Sequence, residues 1–401
     1  MRRIIGFHEM VAVGLGLVGG VGCASLLGDF SFDHSDAGDA ATTDQKNDGS
    51  IDRVIDSTQD AVLDDVTLPT ADAVEAAVDE TCSLPASCCN DAADLQIDEN
   101  NCGRCGHDCQ GGSCLAGQCQ PIVLASNQGH PSGIALSPTN VYWTNNSPTG
   151  SVAMTSTAGG AVTTLASDQN SPIGISIDAS NAYWVNYGSA AAPDGAVMRC
   201  ALAGCGGSPT PVASGRTAPW SITLSNGDLF WTEGVSVFKN GSTLAAEINN
   251  PYALLIASSI AIWTDSIGRI QTCLVGGCAG NPTAITPSVN TASYGLATDS
   301  VYLYWSNSVG GTIQKATLSG GNLSILAAAQ ASPVGVAVDS QNVYWANQAG
   351  GTIMRCAVSG CANNPSTVAS GQSQPVNIAV DSVSIYWTNM GDGTIMKVAK
   401  P

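Results

Sequence analysis

Seven times between residues 143 and 387 the chain sets an apolar, usually aromatic, residue directly before a tryptophan. The copies are VYWTN at Trp143, AYWVN at Trp184, LFWTE at Trp231, AIWTD at Trp263, LYWSN at Trp305, VYWAN at Trp345 and IYWTN at Trp387. They stand 41, 47, 32, 42, 40 and 42 residues apart. A unit recurring at this period cannot bury its apolar surface alone and does so by packing against its own copies. The Trp345 unit divides into four strand-like pieces, VGVAVD, NVYWAN, GTIMRCAV and STVAS, separated by turn residues. Small apolar residues fill the first piece, as expected of a strand buried on both faces. Four strands in about 40 residues make one blade of a β-propeller, so an all-β fold is expected. Composition agrees: charged residues are 11% of 401, and 45 glycines would each cost a helix about 1 kcal/mol.

The Tyr-Trp-Thr-Asp core, the G-x-I after it and the P-x-G-I-A-V-D before it resemble the YWTD and NHL classes of β-propeller. Only Trp263 is followed by Thr-Asp; most units end in Asn145, Asn186, Asn307, Asn347 or Asn389 instead. A structural role for these amides, bridging neighbouring backbones, is the expectation. One tryptophan per unit predicts seven blades, and six, usual in the YWTD family, is the alternative. The 32-residue interval is the tightest unit, yet it still holds SVFKN, TLAAEI and ALLIASS, enough for a full blade. The repeat region opens with PIVLAS (121–126), which matches a fourth strand, and ends on GTIMKVAKP, a third. The ring is therefore expected to close by lending residues 121–126 to the last blade, which removes an open sheet edge. Trp220 alone among the eight tryptophans falls outside the series.

Fifteen cysteines divide by position. Cys200/Cys205, Cys273/Cys278 and Cys356/Cys361 each follow C-x4-C where a third strand turns into a fourth, so hairpin disulfides are expected. Cys82, Cys88, Cys89, Cys102, Cys105, Cys109, Cys114 and Cys119 crowd into 38 residues. That density predicts a disulfide module (82–120) too small to hold a core unaided, with connectivity left open. The competing reading is zinc on Cys102-Gly-Arg-Cys105 with His107 near. The run NNCGRCGHDCQGGSCLAGQC resembles Cys-rich modules of exported myxobacterial proteins, which implies a location and no activity.

The remaining cysteine, Cys23, ends a basic-then-apolar amino terminus that reads as a signal peptide (1–22). Gly20-Val21-Gly22-Cys23 resembles a bacterial lipoprotein box, which implies lipidation of Cys23 and an outer-membrane or cell-surface address; plain secretion is the alternative. Between them, 23–81 reads as an acidic, extended tether: residues 29–81 hold 13 Asp and 2 Glu against one Lys and one Arg, so 13 of the net 19 negative charges fall there. The membrane is thus reached through the lipid anchor only.

The acidity excludes a nucleic-acid partner, which needs a concentrated basic face. Within the propeller, 11 acidic and 8 basic residues leave little net charge. Only His130 of the four histidines lies there, beside Pro131 at a blade edge, where it reads as a loop residue. Asp178, Asp299, Asp339 and Asp381 close the first strand of four units. They read as Asx turns, with a calcium ion the alternative. Arg199, Lys239, Lys315, Arg355 and Lys397 recur on third strands. They form either a basic stripe for an acidic partner or separate solvated charges. No residue is assigned a catalytic role, and no cofactor is required. The expected role is non-catalytic binding of a protein or carbohydrate ligand; a propeller-based lyase or hydrolase acting on an extracellular substrate is the alternative.

Overall fold

Alternation along a strand sends the two residues of each aromatic-Trp pair to opposite faces of its sheet, and that fact organises the molecule. The computed structural model describes residues 94–401, except 190–191, 279 and 288–292. The signal, the tether, Cys23, Cys82, Cys88 and Cys89 lie outside the described residues.

Seven four-stranded antiparallel sheets form seven blades, numbered here by their tryptophans from Trp143 (blade 1) to Trp387 (blade 7). Blade 1 runs Pro131–Leu136, Asn140–Asn145, Gly150–Ser156 and Thr163–Gln169 from the centre outward. The tight unit is a complete blade 3, made of Pro219–Ser225, Asp228–Glu233, Ser236–Lys239 and Ser242–Ala245. In blade 7 the outer strand is Ile122–Ala125, paired antiparallel with Thr394–Ala399 as Ile122↔Lys397 and Val123↔Met396. The ring therefore closes as the phase of the repeat requires, with seven blades and not six.

The core lies between blades. Trp184 packs with Tyr142 of the preceding blade, Trp263 with Phe230, Trp305 with Ile262, Trp345 with Tyr304 and Trp143 with Tyr386. Each pair thus serves two interfaces, its first residue toward the next blade and its tryptophan toward the previous one. All seven tryptophans are at most 2% exposed.

Inner strands share one irregularity. Pro131 faces Asn145 and Ile134 faces Trp143, so two residues oppose the single Thr144, and the other blades repeat this bulge. Thr144 Oγ1 receives the Gly133 N–H at 2.9 Å and donates to Ile173 O of the next blade at 2.6 Å. Ser306 and Thr388 repeat the bridge, to Val334 O and Ser132 O. Gly133 is required here, because a Cβ would run into the Ile173 carbonyl oxygen.

Residues 94–120 form a small module with a two-stranded hairpin, Cys114–Leu115 with Gln118–Cys119. Cys102–Cys114 and Cys109–Cys119 bridge it, and Cys105 is also disulfide-bonded. The sulfurs of the Cys102-Gly-Arg-Cys105 segment are thus bonded to other cysteines and not paired as metal ligands. The module rests on the last turn of blade 7. His107 Nε2 lies 2.8 Å from Lys400 O, and Lys397 Nζ donates to Gln110 O at 3.1 Å.

Candidate functional site at the channel mouth

The chain enters every inner strand at one face of the ring, the upper face, and turns through its outer hairpins at the lower one. The sequence-predicted groups fall mostly at the lower face or between blades. Cys200–Cys205, Cys273–Cys278 and Cys356–Cys361 are disulfides with Cα separations of 5.5, 5.4 and 5.5 Å, at the lower hairpins.

The strand-end aspartates are Asx turns. Asp339 Oδ1 accepts the N–H groups of Gln341 and Asn342, while its Oδ2 accepts the Tyr344 hydroxyl at 3.0 Å. Asp178, Asp299 and Asp381 do the same with Tyr183, Tyr304 and Tyr386. Each carboxylate is occupied by the turn and tyrosine of its own blade, Asp339 also pairing with Lys400 at 2.7 Å, so the four do not converge on one point. Burial alone would raise the carboxyl pKa of Asp299, but the Tyr302 and Val301 N–H groups and the Tyr304 hydroxyl more than offset it and hold it below the usual range. The tyrosines move the opposite way: burial, then the adjacent carboxylate, pushes Tyr304, Tyr344 and Tyr386 well above the ordinary phenol.

The third-strand cations serve neighbouring blades. Lys239 Nζ donates to Val275 O at 3.4 Å and pairs with Asp228 at 2.8 Å. Lys315 Nζ reaches Val358 O at 2.7 Å and Lys397 Nζ reaches Thr157 O at 3.0 Å. Arg355 donates to Pro401 O at 3.3 Å, while Arg199 is exposed near Tyr183. Four of the five ammonium or guanidinium groups therefore reach a carbonyl of the next blade. Burial lowers the Lys397 pKa, partly countered by Asp381 and Asp108. His130 is exposed, with φ 55° immediately before Pro131.

A different set of residues converges at the upper mouth of the central channel. The second residue of the inner strand is Ser132, Ile173, Val334 or Val376 in four blades, and Trp220, Tyr252 and Tyr294 in blades 3, 4 and 5. Trp220 meets Tyr252 edge-on at 5.4 Å between ring centroids, and Tyr252 meets Tyr294 at 4.9 Å. Tyr187, just past the second strand of blade 2, extends the arc with an edge contact to Trp220 at 5.9 Å. All four are half-buried. Desolvation raises the hydroxyl pKa of Tyr187, and burial followed by Tyr187 raises that of Tyr252, which is hydrogen-bonded to Tyr294.

The arc borders a cavity of about 190 Å³ that holds Trp220, Ser221 and Tyr294 on one side and Asn377 of blade 7 on the other. Aliphatic residues and the inner-strand glycines make up the rest of the wall; none of the lining residues is a carboxylate, lysine, arginine or histidine. This site was only half visible in the sequence. Trp220 stands out as the tryptophan off the repeat. The signal for its companions is that PWSI, PYAL and SYGL occupy one position in three successive units.

No protein-family model and no curated protein matches the sequence. Among solved structures, virginiamycin B lyase from Staphylococcus aureus aligns with TM-score 0.57 at 18% identity, over 70% of this chain and 99% of that one. A streptogramin B lyase aligns with TM-score 0.58 at 15% identity, over 70% and 97%. The WD40 β-propeller domain of Doa1 aligns with TM-score 0.55 at 11% identity, over 70% and 97%. Proteins of such different roles share the architecture, so the likeness is one of fold.

Proposed function

We propose that this chain is an exported cell-envelope protein, anchored through lipid on Cys23 or else secreted, whose propeller is of the YWTD/NHL type and serves as a non-catalytic binding surface. Its ligand, a protein or a carbohydrate, docks at the upper mouth of the channel. One observation carries this reading: half-buried aromatic residues depart from the repeat in three adjacent blades and meet at one cavity whose wall carries no acid–base pair. Aromatic side chains with a few polar groups suit recognition. General acid–base chemistry needs a titratable group within hydrogen-bond reach of the reacting atoms, and the wall offers only tyrosine. Among the described residues, the module makes its contacts at Lys397 and Lys400 of blade 7 and not at the aromatic arc, which suits presentation of the mouth from an anchored stalk.

Two measurements test the reading. Intact mass of the protein made in a Gram-negative host is expected to show acylated Cys23. Ligands that raise the melting temperature of the purified protein are expected to be recovered unchanged. Turnover of a defined substrate, abolished by a substitution at the channel mouth, would overturn the non-catalytic role.

A further inference from the structure

We propose that the channel mouth recognises a neutral sugar ring, either a free monosaccharide or the terminal residue of a neutral glycan. This rests on the reading of the propeller as a binding surface and adds the class of its ligand. A repeat protein meets the needs of folding in the same way in every blade, so departures that cluster in space call for another explanation. At the second inner-strand position the departures are Trp220, Tyr252 and Tyr294. At the third, where Gly133, Gly174, Gly295 and Gly335 stand in four blades, blade 7 has Asn377. All but Tyr252 line the one cavity, and Tyr252 packs between two that do.

The chemistry of that wall selects among ligands. Aromatic rings offer apolar faces to the C–H face of a pyranose. A sugar's rim of hydroxyls needs polar partners opposite, and Asn377 and Ser221 stand there. Asn377 Nδ2 is held by Ser132 O at 3.2 Å, while its Oδ1 has no partner among the described residues, so it is placed to accept a hydroxyl proton. With no charged group in the wall, a charged ligand would be desolvated without compensation. About 190 Å³ has room for a single ring. A buried aromatic side chain from a peptide would fill the same space but offer no partner to the Asn377 Oδ1 and the Ser221 hydroxyl, which is costly when they are closed off from water.

Intrinsic fluorescence provides the readout, because seven tryptophans are at most 2% exposed and Trp220 alone is half-buried. The mature full-length protein is titrated with neutral hexoses, N-acetylhexosamines and their short oligomers, with glucuronic acid, and with peptides ending in Phe or Tyr. The expected result is a saturable emission change with at least one neutral sugar and none with glucuronic acid. Trp220→Ala and Asn377→Ala are each expected to weaken that sugar at least tenfold, while Trp220→Phe weakens it less. Because replacing Trp220 removes the fluorescent reporter, the affinities of all three variants are taken by calorimetry, and far-UV circular dichroism with the melting temperature confirms that they fold. Failure of every neutral sugar, or sugar binding indifferent to both substitutions, overturns the proposal. Peptide binding that depends on Trp220 also overturns it, yet leaves the binding reading standing. Sugar that binds through Trp220 and is then converted supports the site but overturns the non-catalytic role.

Discussion

Gln372 Oε1 accepts from Trp387 Nε1 at 2.9 Å and from Asn389 Nδ2 at 3.0 Å, so one amide oxygen satisfies two buried donors. Gln128, Gln169 and Gln330 do the same for Trp143, Trp184 and Trp345. Blade 3 solves the same problem with charge: Arg216 holds Glu233 through two bonds at 2.6 and 2.7 Å, and Glu233 accepts from Trp231 Nε1 at 2.9 Å. The asparagines that end most aromatic-Trp motifs were legible as structural residues, although Asn145, Asn347 and Asn389 bond glutamine, serine and threonine side chains and not the neighbouring backbones expected of them. Their glutamine partners were not, because each stands 15 residues before its tryptophan, inside a turn-rich stretch that carries no hydrophobic period. The residual signal is the spacing Gln-x-x-Pro at Gln128, Gln169, Gln330 and Gln372. Gln372→Ala leaves Trp387 Nε1 unpaired and Asn389 Nδ2 with only its bond to Thr394 Oγ1, and is expected to cost about 1–3 kcal/mol, read from chemical denaturation. The Asp–Tyr pairs set the pH range. Asp339 is half-buried, which alone would raise its pKa, but Lys400 and the Asn342 and Gln341 N–H groups more than offset this and lower it. As pH falls, the unfolded chain therefore takes up the proton first, and this contribution is lost below the ordinary carboxylate range. Tyr344 is raised by burial and by Asp339, so as pH climbs past about 10 the unfolded chain ionises first and stability falls again. The melting temperature is expected to be flat between those limits and to drop on both sides. Asp339→Asn should flatten the acid limb and Tyr344→Phe the alkaline one.

At the scale of strands, the bulge in each inner strand does two jobs. It frees an N–H to meet the Thr or Ser hydroxyl of its own blade, and it presents a carbonyl to the hydroxyl of the preceding one. Thr388 joins Asn377 N to Ser132 O in this way, while Val185 and Ala346 occupy the same position in blades 2 and 6 without a hydroxyl. Thr388→Val preserves the shape but removes the bridge, and is expected to cost about 1–2 kcal/mol in a melt or denaturant titration. The outer hairpins carry the opposite kind of device, local and covalent. Because only four residues separate Cys356 from Cys361, the closed loop removes little freedom from the unfolded chain. Replacing both by Ser should cost no more than about 2 kcal/mol and leave the blade intact by circular dichroism. The strand count and the C-x4-C pairing were readable because both follow from local pattern: alternation, turn residues and a fixed four-residue spacing. The bulge was not, since it is defined by register between strands and leaves no period of its own in the sequence. The aromatic arc was hidden for a related reason. Trp220, Tyr252 and Tyr294 are 32 and 42 residues apart in sequence and become neighbours only once the units are laid side by side.

A ring of blades leaves only the short outer edges of its fourth strands, and blade 7 has a fourth strand only while the two ends stay joined. Here that join is one short strand, Ile122–Ala125, whose Leu124 and Ala125 are 5% and 6% exposed, hydrogen-bonded to the last strand of the chain. It was foreseeable, because a repeat that begins on a fourth strand and ends on a third can be completed in only one way. The seat of the cysteine module was not foreseeable. Backbone carbonyls of Gln110 and Lys400 make its contacts with Lys397 and His107, and carbonyls carry no sequence signature. The two features bear unequally on stability. Residues 121–401 keep the closing strand and lose only the module, and Lys397 keeps its bond to Thr157 O. Residues 127–401 lose the strand as well, which uncovers the Thr394–Ala399 edge together with the apolar residues that Leu124 packs against, Val141, Trp143 and Ile395 among them. An open, apolar edge pairs with another chain. The fragment 121–401 is therefore expected to run as a monomer in size-exclusion chromatography and to melt in one transition. The fragment 127–401 is expected to associate with rising concentration and to melt earlier. Adding back a peptide of residues 120–127 should restore the monomer by supplying the fourth strand of blade 7. If 127–401 instead stays monomeric and melts with 121–401, the closing strand is not what holds the ring, and the burden would fall on the seven tryptophan-filled interfaces alone.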